Sequence, residues 1–406
     1  MRLLKFVEVA FAKPCPKKVG IAVSGGGDSM ALLHLALRWS QQTFVPLCAV
    51  TVDHGLRAEA AKEAAMVAAF CAGHNIPHDT IVWQDWDGHG NVQAAARDAR
   101  YRLIGEWAGQ NGVDLVALGH TKDDGAETFV MRLARKAGID GLATSDRLFH
   151  RNDVRWCRPL WLAERAALRD YCTRNGVPWI DDPSNDDIDF DRVRVRKAMQ
   201  VLADTGVSLD ALHHAAFTAR EARDALEYYT IQEAERLVTI DRGDVVMPLD
   251  PDVPAEIARR LRVKAVQWVG NMAYPPRHAS MQQLMSGLWL ENTQTLGGCV
   301  VTSKDGTLRV TREHRAVGAL VSATDARWDN RWKLDGPHAP DLQVRALGEG
   351  IHDCPDWRAT GMPRVSLLAS PAIWREDTLI AAPLAGYNDV WSARIAEDFH
   401  SSLVAH

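Results

Sequence analysis

The stretch VGIAVSGGGDSM, residues 19–30, constrains what this chain can fold into more than any other. Its opening run, residues 19–23, is apolar or glycine throughout and suits a short buried parallel strand. Residues 30–39 have the apolar content of a packed helix, and between the two lies Ser24-Gly25-Gly26-Gly27-Asp28-Ser29. A strand, a glycine loop and a helix N-terminus together aim backbone N–H groups at a phosphate. The glycines matter because side chains would keep the backbone away from the anion. Asp28 or Ser29 also suits a helix cap, a purely structural alternative. Two other phosphate motifs are excluded. No G-x-x-x-x-G-K-[ST] occurs, and Gly25 and Gly27 are followed by Asp28, Ser29 and Met30, which breaks the dinucleotide fingerprint.

Further strand–helix units follow. Residues 45–52 read as a second buried strand ending at Asp53-His54-Gly55-Leu56-Arg57, residues 59–73 as a helix and 77–83 as a third strand. A helix over 91–107 carries Arg97 and Arg100 on one face. A fourth strand over 114–118 runs into Gly119-His120-Thr121-Lys122-Asp123-Asp124, which opens a helix expected over 126–137. Units of this kind build an α/β fold with a doubly wound parallel sheet. Ligands in such sheets gather at the carboxyl ends of strands, so three polar clusters are expected in one crevice. Each cluster alone suits a turn, a cap or carboxylates complementing a helix dipole. Invoking that explanation three times is less economical than one site. His120, Asp123, Asp124 and Glu127 have the chemistry to bind magnesium or an ammonium group.

A net charge of −5 over 406 residues gives no global basic field, so a nucleic-acid partner must be held by local patches. Arg97, Arg100 and the stripe at 191–197, with Arg194 and Arg196, are candidates for phosphate contacts. The seven scattered cysteines contain no C-x-x-C, which argues against a disulfide scaffold or zinc ribbon and suits reduced thiols in the cytoplasm. Lys5 and Glu8 interrupt the first residues, so no signal peptide is expected, and no run suits a membrane span.

At Ser24–Ser29 the chain resembles the PP-loop (N-type) ATP pyrophosphatases, which adenylate a carbonyl oxygen and let a nucleophile displace AMP. Further segments narrow the resemblance. V-D-H-G-L-R (52–57), A-R-D-A-R-Y (96–101), L-G-H-T-K-D-D-G-A-E-T (118–128), R-P-L (158–160), W-I-D-D-P-S-N-D-D (179–187) and the arginine stripe are together similar to the tRNA(Ile)-lysidine synthetases. Two positions depart: Gly125 stands where that family usually has Gln, and Val193 where it usually has Asn.

The resemblance implies a Rossmann-like catalytic domain using ATP and Mg²⁺ to ligate free L-lysine to carbon 2 of the wobble cytidine in CAU-anticodon isoleucine tRNA. It implies ATP at Ser24, Gly25, Gly26, Gly27, Asp28, Ser29, Asp53, His54 and Arg57. Lysine falls to Asp123, Asp124 and Glu127, and tRNA or pyrophosphate to Arg97, Arg100, Arg194 and Arg196. Catalysis falls to Asp28, His120, Asp124 and Glu127, with Asp28 or Asp124 near the metal. The oligomeric state stays open, a homodimer among the choices. A PP-loop tRNA thiolase would commonly bring paired cysteines, and an amidating synthetase a glutaminase domain; neither is visible here.

The catalytic domain is expected over 1–205. A mainly helical, tRNA-contacting domain is expected over 206–325, with a hairpin at 297–311 and a basic patch at Arg259, Arg260, Arg262 and Lys264. Residues 323–340 read as a linker, and 326–406 as a small strand-rich domain.

Overall fold

The computed structural model describes residues 2–12, 14–55, 60–84, 86, 92–143, 146–181 and 191–404. The chain divides into two compact units, Met1–Arg223 and Asp224–His406.

In the first unit, α1 (Arg2–Ala10) precedes β1 (Val19–Ala22), α2 (Gly27–Thr43), β2 (Leu47–Asp53), α3 (Ala60–Gly73), β3 (His78–Val82), α4 (Val92–Gln110), β4 (Leu115–Leu118) and α5 (Lys122–Ala134). Then come α6 (Ile139–Leu142), β5 (Leu148–Arg151), β6 (Val154–Cys157), α7 (Arg165–Asn175), α8 (Asp191–Asp204) and the start of α9 (Leu209–Leu237), whose residues from Asp224 on belong to the second unit. The six-stranded sheet has the order β3-β2-β1-β4-β6-β5. All neighbours pair in parallel except β5, which returns antiparallel along β6. β1 and β4 lie at the centre, covered on both faces, which is why VGIA and LVAL carry no charge. On one face, Met30 and Leu33 of α2 pack with Val7 and Phe11 of α1 and Leu168 of α7. On the other, Tyr101, Ile104 and Trp107 of α4 pack with Trp156 of β6. The chain leaves β1 for β2 on one side and later adds β4 on the other. The carboxyl ends of β1 and β4 therefore flank the switch point where such sheets bind ligands.

The β5–β6 hairpin was not expected. Its strands are short and carry charge, and the turn runs through Asn152 and Asp153, both at positive φ (51° and 58°).

In the second unit, β7 (Thr239–Asp241), β8 (Asp244–Pro248), α10 (Ala255–Val269), α11 (His278–Leu290), β9 (Thr293–Leu296), β10 (Cys299–Lys304) and β11 (Thr307–Arg312) come first. The expected hairpin forms, with Lys304 opposite Thr307, and three more strands join it in the order β7-β8-β11-β10-β9. After α12 (His314–Val317) come β12 (Ser322–Ala323), β13 (Trp332–Asp335), β14 (Gln343–Ala346), α13 (Arg364–Leu368), β15 (Pro371–Arg375), β16 (Thr378–Ala381), β17 (Ser392–Ile395) and α14 (Phe399–Val404).

Two sequence expectations fail here. Residues 323–340 are not a linker: Trp328, Trp332 and Leu334 are buried in a core with Val344 and Ile373, and β13 pairs with β17. Tryptophan's large apolar surface outweighs the turn-forming residues around it. The basic patch on α10 is also largely spent within the fold. Arg259 and Arg260 pair with Glu256, and Arg262 donates to the Leu249 carbonyl at 2.6 Å.

Candidate active site

β1 delivers the chain into a tight loop. Gly25 has φ +84°, a conformation that side chains disfavour, and Gly26 caps α2 with extended backbone and no side-chain hydrogen bond. Asp28 and Ser29 are thus first-turn residues, not caps. Ser29 Oγ accepts from the Ser24 amide at 3.2 Å and donates to the Gly26 carbonyl at 2.9 Å, bracing the loop from within. With no side chain capping it, the first turn of α2 keeps backbone donors available to an anion.

The end of β4 is built differently. Thr121 caps α5 in a capping box, its Oγ1 accepting from the Asp124 amide while Asp124 Oδ2 accepts from the Thr121 amide at 2.8 Å. This cap starts α5 at Lys122, earlier than expected, and presents Asp123, Asp124 and Glu127 from its first turns. Capping and site-building are therefore both roles of Asp124.

Arg165, at the start of α7, ties these carboxylates together. Its Nε donates to Asp28 Oδ2 at 3.2 Å, Nη1 to Glu127 Oε1 at 2.9 Å and Nη2 to Asp124 Oδ1 at 3.1 Å. Its backbone amide donates to Asp123 Oδ2 at 2.8 Å. Arg196 Nε reaches the same Glu127 Oε1 at 2.7 Å. Two buried oxygens of this cluster, Asp28 Oδ1 and Glu127 Oε2, have no hydrogen-bond partner among the described residues.

Electrostatics divides the carboxylates. Burial pushes the Asp28 carboxyl up to about 6, with Arg165 opposing and Asp124 adding to the rise. Burial also acts to raise Asp124, but Arg165, the Thr121 amide and Arg192 outweigh it and hold that carboxyl below its usual range. His120 is pushed down to about 3, first by burial and then, against the pull of Asp124, by Arg158, Arg100 and Arg97. His54 is lowered by burial and by Arg100. An acidic half around Arg165 and a basic half around Arg100 thus meet at His120 and Asp124.

A model of the PP-loop domain matches residues 2–202. The chain is 45% identical over 412 residues to a tRNA(Ile)-lysidine synthase of Ruegeria pomeroyi, covering 100% of this chain and 98% of the relative. It is 44% identical to that of Brucella suis biovar 1, covering 96% and 91%, and 31% identical to that of Wolbachia pipientis wMel, covering 91% and 89%. The chain belongs to the tRNA(Ile)-lysidine synthase family.

Of the residues singled out from sequence, the structure gathers Asp28, Asp123, Asp124, Glu127 and Arg196 directly around Arg165. His120, His54, Arg97 and Arg100 share the basic half. Asp53 Oδ1 accepts from the Gly55 amide at 2.8 Å and so shapes its own turn. Arg194 is exposed and pairs with Asp191, which also receives Arg135, so it is placed apart from Arg196. Val193 is buried, which accounts for an apolar residue at that position. Arg57 and residues 182–190 lie outside the described residues.

Sequence reasoning missed Arg165 and gave no role to Arg158. One signal was available for the first: an arginine opening a helix sits at the wrong end of the dipole, which calls for carboxylates supplied from elsewhere. Among the described residues, no group of three or more His, Cys, Asp or Glu side chains is arranged to hold a metal, and no helix is long and apolar enough to cross a membrane.

Proposed function

We propose that this chain joins free L-lysine to carbon 2 of the wobble cytidine in isoleucine tRNA with a CAU anticodon, with ATP adenylating the cytosine 2-carbonyl. The observation that carries this reading is the 45% identity to a tRNA(Ile)-lysidine synthase over 98% of that relative. The chemistry of the site supports each part of it.

ATP phosphates meet the Ser24–Ser29 loop and the uncapped first turn of α2, with Asp53 and His54 beside the nucleotide. Arg97 and Arg100 supply cations for departing pyrophosphate or the tRNA backbone. Asp28 fits Mg²⁺ better than Asp124, because its Oδ1 is buried and unpartnered whereas both Asp124 oxygens are engaged. Mg²⁺ commonly takes one or two carboxylates and completes its shell with water and substrate phosphates, so a ready-made protein cage is not required. Bound there, it would offset charge on the leaving pyrophosphate.

Four carboxylates against the two guanidinium groups of Arg165 and Arg196 leave the acidic half net negative, which suits the ammonium of lysine. Before attack the ε-amine must lose a proton. Glu127, with Oε2 buried and unpartnered, is the proposed acceptor. His120 stays neutral at physiological pH, but a group held near 3 takes up protons too weakly for that work. Its role is instead to accept or donate a hydrogen bond at the boundary of the two halves. Arg196, bound to Glu127, is better suited to steadying that carboxylate than to holding RNA. The second unit is assigned to the body of the tRNA, and the enzyme to the cytoplasm.

The test is incubation with ATP, Mg²⁺, labelled lysine and the CAU-anticodon isoleucine tRNA, followed by mass analysis of digested nucleosides. A cytidine carrying one lysine is expected. Pyrophosphate release without that product would keep the ATP chemistry and reject lysine as the nucleophile.

A further inference from the structure

We propose that Arg165 is a positioning residue, holding carboxylates of α2 and α5 at the separation that the substrate ammonium needs. The inference deepens the lysine-ligating reading above and rests on it.

Asp28 comes from α2, while Asp123, Asp124 and Glu127 come from α5. Left alone, four carboxylates on two helices would repel one another and drift apart or take up protons. The planar fork of one guanidinium prevents this by reaching three of them at once, each through a different nitrogen, while the Arg165 amide takes the fourth. A lysine in the same place is a point charge and cannot span the same set. Nothing local to α7 calls for the arginine, since Glu164 at the cap makes no side-chain capping bond and a cation there opposes the dipole.

The bonding pattern also says how the substrate enters. Arg165 binds one oxygen of Asp28 and one of Glu127, and the second oxygen of each remains buried without a partner among the described residues. Glu127 is only 1% exposed, so its free oxygen has no bulk water to satisfy it. Arg165 thereby fixes where both free oxygens stand: Glu127 Oε2, offered to the substrate ammonium, and Asp28 Oδ1, the atom assigned above to Mg²⁺. The substrate cation is taken beside Arg165, not in exchange for it.

Steady-state kinetics of lysidine formation by wild type, Arg165→Gln and Arg165→Lys test this, with melting temperatures recorded alongside. Arg165→Gln should raise the KM for lysine by ~10-fold or more, the scale of one lost charge-assisted hydrogen bond, with a far smaller change in the KM for ATP. Arg165→Lys should recover part of that loss by restoring the charge without the fork. An unchanged or lowered lysine KM in Arg165→Gln overturns the proposal, the lowered value pointing to a resident competitor of the substrate. Equal losses toward lysine and ATP overturn it too, as the mark of a general structural role. If Arg165→Gln does not fold, Arg165→Lys decides alone: a selective rise in lysine KM supports the proposal and wild-type values overturn it. Wild-type enzyme that forms no lysidine removes the underlying reading, a result distinct from an active wild type with indifferent variants.

Discussion

Gly119 lies so close to Ser29 that a Cβ on it would stand 2.9 Å from the Ser29 Cα and 3.0 Å from its amide nitrogen. Backbone cannot yield as the end of a flexible side chain can, so the end of β4 and the first turn of α2 meet only because residue 119 has no side chain. Gly119→Ala is expected to push them apart. A displacement of about 1 Å in a reacting site costs on the order of 100-fold in rate. We expect ATP-dependent pyrophosphate release to fall on that scale, while overpacking costs about 1–3 kcal/mol of stability. Wild-type release by a folded Gly119→Ala protein would show that the loop tolerates the shift.

Asp28 carries a stability cost at neutral pH. Its carboxyl lies at about 6 in the fold against 3.8 for the unperturbed group. A raised value means that the fold favours the protonated form. The contribution is full below the unfolded value and is lost as pH rises through about 6. At pH 7.5 ionised Asp28 therefore lowers stability, on the order of 3 kcal/mol. Metal-free Asp28→Asn should melt at or above wild type at pH 7.5, the gap narrowing as pH falls from about 6 toward 4, and should not adenylate tRNA. Melting clearly below wild type at pH 7.5 would contradict this assignment of the strain.

His120 should stay neutral throughout the working range, because burial and the surrounding arginines hold it near 3. Its ring resonances in NMR should therefore not titrate between pH 8 and 5. A midpoint near the ordinary histidine value would show that water or counter-ions reach the ring freely, and would return His120 to candidacy as the base.

Much of this site was legible because its pieces are local. The glycine loop after β1 and the D-D-x-x-E run after β4 each read as a strand end opening a helix, and parallel-sheet topology requires such ends to meet. Arg165 was not legible in that way. It lies far along the chain from Asp28, and only the packing of α7 against α2 brings them together. The arginine stripe divides for a related reason. Spacing puts Arg194 and Arg196 in one run, but α8 turns one outward to Asp191 and the other inward to Glu127. The buried tryptophans at 328 and 332 were hidden by Asp, Gly and Pro neighbours whose local preference for turns is real but weaker than burial.

Gly125 and Trp161 form one packing unit. A Cβ on Gly125 would stand 3.0 Å from Trp161 Cζ2, and Trp161 is itself 5% exposed. The glutamine usual in the family at this position would collide with the indole, so the small residue and the large one answer each other. Gly125→Gln alone is expected to cost about 1–3 kcal/mol through overpacking. Trp161→Leu alone should cost a similar amount by opening a cavity under Arg158, whose guanidinium lies 5.8 Å from the indole centre. In the double variant the new side chain fills the space that the indole leaves. The two costs should then fail to add, with a coupling of about 1 kcal/mol or more in unfolding measurements of the four proteins. Simple additivity would mean that the glutamine escapes elsewhere, and that Gly125 is not paired with Trp161.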